Sequence, residues 1–109
     1  MENYDYSKEG LVLRNLVDYQ DGSVVSKTLI SKQAGTVTLF SFDKGEKLSE
    51  HTAPFDALVH VFDGSARITI AGSANVVNAG EIIIMPAGKP HALEAVSAFK
   101  MMLVMIKSA

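Results

Sequence analysis

Cysteine is absent from the 109-residue chain, and with it go the disulfide framework, the thiolate nucleophile and the zinc–thiolate site. Any metal would have to be held by nitrogen, oxygen or thioether donors. Basic runs are absent too. Ten Lys and Arg against twelve Asp and Glu leave a net charge of −2, and without a cluster of positive charge neither nucleic acid nor an anionic membrane is expected as a partner. No apolar stretch reaches transmembrane length, and the opening MENYDYSKEG is polar and acidic where a secretory signal would be basic and then apolar. A cytoplasmic location is the expectation. There is no linker, repeat array or low-complexity segment, and no helix of ordinary length is written before residue 44.

What is there is apolar and β-rich. A hydrophobic fraction of 48% is high for so short a chain. It implies apolar surface beyond one core, and a homodimer would cover it. The length fits one domain, residues 1–109, able to bury roughly two thirds of its unfolded surface, with residues 1–10 as a flexible arm. In residues 11–20, Leu13, Leu16 and Val17 stand at helical spacing, so a turn of helix competes with a strand. Beyond the Asp21-Gly22 turn, strands are expected over 24–32, 36–43, 57–62 and 66–70, at NVV (75–77), and over 81–85, 91–96 and 99–107. Glycine-bearing turns separate them. The run 81–85 is apolar on both faces, as a strand buried on both sides would be. Many short, evenly spaced strands indicate an antiparallel sandwich or small barrel.

Two segments echo one another, GEKLSEHTAPFDALVHVFDG (45–64) and GEIIIMPAGKPH (80–91). Each opens on glycine and delivers a histidine, His51 or His91. Together they resemble the paired motifs of the cupins, single-domain all-β barrels of jelly-roll type. In the first, Gly45, His51 and Gly64 match, while the second histidine position holds Ala53 and the glutamate position Ala57. In the second, Gly80, Pro86, Gly88 and His91 match, and the final asparagine position holds Ala95. The resemblance spans roughly residues 24–107.

That resemblance implies a site where three histidines and a glutamate would hold one divalent transition metal. Here only His51 and His91 remain as ligands. Alternation puts 51 and 53 on one face, and 57 can point there across the hairpin. Glu50 and His60 fall out of phase, and His60 reads as an outward or interface residue. Asp56, in a bend after Pro54, is a weak candidate for a recruited metal ligand. Met85, Met101 and Met105 offer thioethers, which suit Cu(I) better than iron or manganese, although methionine in an apolar strand commonly fills core.

Two alanines in place of ligands leave space, so an apolar pocket is expected, lined by His51, Ala53, Phe55, Ala57 and His91. It suits a small organic ligand with an acceptor or acidic group. The competing expectation is a metal-dependent oxygenase or isomerase using His51, His91 and a recruited ligand. No Ser-His-Asp or paired-carboxylate arrangement points to a specific reaction.

Overall fold

The computed structural model describes residues 5–107. Nine strands build it: β1 (Val24–Lys32), β2 (Gly35–Phe42), β3 (Lys47–His51), β4 (Asp56–Asp63), β5 (Ser65–Ile70), β6 (Ser73–Asn78), β7 (Ile82–Met85), β8 (His91–Ala95) and β9 (Phe99–Ile106). They form two antiparallel sheets, ordered β1-β2-β9-β4-β7 and β3-β8-β5-β6. The two inner faces close on each other as a jelly-roll barrel. Among the described residues no helix is long and apolar enough to cross a membrane.

Period-two alternation decides what each strand puts inside. On β4, Ala57, Val59 and Val61 are buried while the residues between them face out. Across the barrel they meet Ala66 and Ile68 of β5 and Leu93 and Ala95 of β8. Phe42 and Phe99, both fully buried in that core, stack at 4.5 Å between centroids. One turn shows how strictly backbone geometry selects its residue. Gly64, between β4 and β5, has φ +71°, and a Cβ there would lie 1.9 Å from the carbonyl oxygen of Ala98. Only glycine fits such a position.

Two segments differ from the sequence reading. Residues 11–20 form neither a helix of several turns nor a strand: a single 3₁₀ turn spans Leu13–Asn15. The segment is then strapped across the outer face of the five-stranded sheet. Val17 is buried, the Ser41 hydroxyl donates to the Asp18 carbonyl at 2.7 Å and Lys100 Nζ to the Arg14 carbonyl at 2.8 Å. These contacts come from distant strands, so local periodicity could not show them. Strand β7, read as buried on both sides, is an edge strand within this chain. Ile83 and Met85 face inward, whereas Ile82 and Ile84 are 58% and 55% exposed. Of the expected arm, residues 5–10 form only a turn and bends, mostly exposed; residues 1–4 lie outside the described residues.

Candidate functional site

The two echoing segments meet at one end of the barrel, where β3 pairs with β8. A register shift lies between the pairs Leu48↔Leu93 and His51↔His91, so three steps along β3 match two along β8. The extra residue is a bulge. Without it, alternation would send Leu48 and His51 to opposite faces; with it, both reach the barrel interior. His91 is delivered by a tight turn. The Lys89 amide donates back to the Pro86 carbonyl at 3.3 Å, and Gly88, third in that turn, has φ +78°, as a type II turn requires. The Gly88 amide donates to the Ala53 carbonyl at 2.8 Å. The Ala87 amide donates to Asp56 Oδ1 at 2.9 Å. The second motif is thereby fastened to the first.

The two imidazoles face each other with Nε2 atoms 3.1 Å apart, the rings set edge to face at 70°. His51 Nδ1 lies 2.8 Å from the Ser49 carbonyl and His91 Nδ1 3.1 Å from the Lys89 carbonyl. A carbonyl oxygen only accepts, so each Nδ1 carries the ring proton and each Nε2 is left with its lone pair. Two lone pairs therefore converge on one point. They are satisfied together only by a shared proton, a donor group or a cation between them.

Behind the pair lies a cavity of about 70 Å³, walled by Phe40, Leu48, Leu93 and Leu103, with Ala53 and Ala57 beside the histidines and Met85, Met101 and Met105 behind. His91 is 5% exposed, while His51 is open to solvent and forms the mouth. A wider groove of about 300 Å³ on the outer face of the four-stranded sheet is open and mixed in character, with Lys47, Glu50, Arg67 and Glu94 along it, the last two paired at 3.6 Å. It lacks the converging groups of the barrel pocket.

The structure brings four of the five expected pocket residues together, His51, Ala53, Ala57 and His91. Phe55 is not among them. It sits beneath Lys107, whose Nζ is 5.8 Å from the ring centroid, because the bend after Pro54 turns it away. Asp56 is not among the pocket residues either: it is exposed, and its Oδ1 accepts from the Ala87 amide. His60 lies on the outer face opposite Ile82 and Met102 and tilts against Phe62. Sequence reasoning missed Phe40, Leu48, Leu93 and Leu103 as walls. Their inward phase was readable, but their meeting at one end follows from strand order.

Do these donors suit the divalent ion that the motifs imply? Two nitrogens 3.1 Å apart would subtend roughly 100° at an ion about 2.0 Å from each, an ordinary angle for one metal. The rest of the set fails. The described residues contain no group of three or more His, Cys, Asp or Glu able to hold a metal, and methyl groups stand where the third nitrogen and the carboxylate would be. A hard divalent ion would keep two protein bonds and no compensating charge.

Comparison with known proteins agrees with this architecture. A family model described as "Cupin domain" matches residues 38–107. A conserved protein of unknown function from Streptococcus pyogenes is 40% identical, with a TM-score of 0.91, 99% of this chain and 94% of that one being covered. A cupin 2 conserved barrel domain protein from Leptotrichia buccalis is 44% identical over 87% of this chain and 46% of its own, TM-score 0.84. A cupin superfamily protein from Desulfitobacterium hafniense is 28% identical over 93% of both chains, TM-score 0.88. No curated protein matches in sequence.

Proposed function

The chain belongs to the cupin family, and from that premise we propose that it is a binding barrel, which holds a small ligand at the His51–His91 pair and does not run hard-metal catalysis. The observation that carries this reading is the 3.1 Å approach of two Nε2 atoms whose Nδ1 partners are both committed to carbonyls. Such a pair accepts. An organic ligand would present a donated proton, from a hydroxyl, phenol or ammonium group, in preference to a bare acceptor. The cavity limits what enters. At about 70 Å³ it is well below the ~300 Å³ at which drug-sized pockets begin. A few non-hydrogen atoms would fill it, and the remainder of a ligand would leave past His51.

The alternative, an oxygenase or isomerase dependent on a divalent metal, needs a third ligand. Asp56 does not line the pocket, which argues against it as that ligand. The reading also carries two expectations: a cytoplasmic location, and a homodimer formed through the outer face that β7 edges. A thermal-shift screen of small alcohols, phenols and amines tests the main proposal. A rise in melting temperature that disappears in both His51→Ala and His91→Ala is expected. A rise that survives both substitutions would place binding elsewhere and defeat the reading.

A further inference from the structure

The place left by the missing carboxylate has its own chemistry. Ala57 on β4 pairs directly with Met85 of β7 on one side and Met105 of β9 on the other. Both thioethers line the cavity that holds the two histidines, as does Met101. The residues lining this space thus offer two imidazoles and three thioethers, and no side-chain oxygen. Met85 and Met101 are 4% and 1% exposed, so water does not compete freely for their sulfur.

Two arguments converge on one ion. Thioether sulfur is a soft donor that selects Cu(I) over Mg(II), Mn(II) or Fe(II), while imidazole accepts copper readily. Charge points the same way. All five donors are neutral, so whatever charge the ion carries stays uncompensated among apolar walls. The Born cost of burial scales with the square of the charge, so a monovalent ion pays about a quarter of what a divalent ion of the same size would. Cu(I) meets both conditions, whereas Zn(II), which imidazole also suits, fails on charge.

We propose that the barrel pocket is a Cu(I) site, with His51 and His91 giving nitrogen and Met85 or Met105 giving a thioether from the two flanks of Ala57. This rests on the convergence of the histidine pair but not on any organic ligand. The core-filling role of methionine is the competing account, and it predicts that leucine serves as well.

The test is an anaerobic titration of the metal-free chain with Cu(I) against a chromogenic Cu(I) chelator, run beside a Zn(II) titration. The parent protein, a Met85→Leu, Met105→Leu double variant and the two histidine variants are compared. Leucine conserves volume, so the double variant is expected to fold, and its thermal melt checks that it does. One equivalent of Cu(I) should bind more tightly than Zn(II), and the double variant should weaken Cu(I) about ten- to a hundredfold while leaving Zn(II) unchanged. Copper X-ray absorption should show a sulfur neighbour in the parent and none in that variant. If a folded double variant binds Cu(I) like the parent, or if Zn(II) is preferred, the thioether site is wrong and the histidine pair still stands. If Cu(I) binding is indifferent to His51→Ala and His91→Ala as well, the proposal falls with the reading beneath it.

Discussion

At the scale of single residues, the site follows from where two ring protons sit. Each Nδ1 faces a backbone carbonyl within hydrogen-bond range, which fixes one tautomer and turns both free lone pairs to the cavity. Nitrogen-15 NMR of the metal-free chain should find His51 and His91 predominantly in the Nδ1–H form. A dominant Nε2–H form in either ring would remove the converging acceptors. The motif histidines were legible in sequence because glycine and proline spacings bracket them. Phe55 leaves the pocket because the bend suspends alternation, whereas Asp56 keeps the outward phase of β4, and only the fold shows its Oδ1 accepting from the Ala87 amide. Glycine supplies a second test. Gly64→Ala, forced to keep a left-handed backbone against the Ala98 carbonyl, should cost about 2–4 kcal/mol in urea denaturation. A loss below about 0.5 kcal/mol would mean the turn relaxes freely.

At the scale of elements, the strands were readable and their irregularities were not. Alternation and glycine-bearing turns mark the course of β1, β2, β4, β5 and β9. The bulge in β3 left no mark in sequence, because a register shift is a property of two strands and β8 lies some forty residues away. The strap over residues 11–20 was ambiguous for the same reason. It is held by side chains of β2, β4 and β9: Ser41, Asp63, which accepts a hydrogen bond from the Tyr19 hydroxyl, and Lys100, whose Nζ lies 5.0 Å from the Tyr19 ring centroid. Burial, then the Asp63 hydrogen bond and charge, raise the Tyr19 phenol above its ordinary value of 10.0. A raised value means that the folded state holds the neutral form. The contribution is therefore complete below the ordinary value and is lost as pH climbs beyond it. Above pH 10 the melting temperature of the parent should fall more steeply than that of Tyr19→Phe. Parallel curves would show that the strap does not depend on the phenol.

At the scale of the whole molecule, the chain exposes a row that one copy does not cover. Ile82 and Ile84 lie beside His60 and Leu58, which lie beside Met102 and Val104 on the same outer face. The apolar excess of the composition has its place there. A second copy packed on this face would account for it; light scattering should then report a dimer, and Ile82→Lys with Ile84→Lys should give a monomer that stays folded. A stable monomer of the parent at micromolar concentration would contradict the assignment. The family was legible from the two motifs, and the methionines were legible as soft donors; that Met85 and Met105 flank Ala57 was not, because it follows from the pairing of β4 with β7 and β9. The account's central claim is that this barrel does not retain a divalent metal, and retained metal tests it most directly. Untagged chain equilibrated with Fe(II), Mn(II) or Zn(II) and then dialysed should keep far less than one equivalent of any of them. About one equivalent, kept by the parent and lost in the His51→Ala, His91→Ala double variant, would contradict the account.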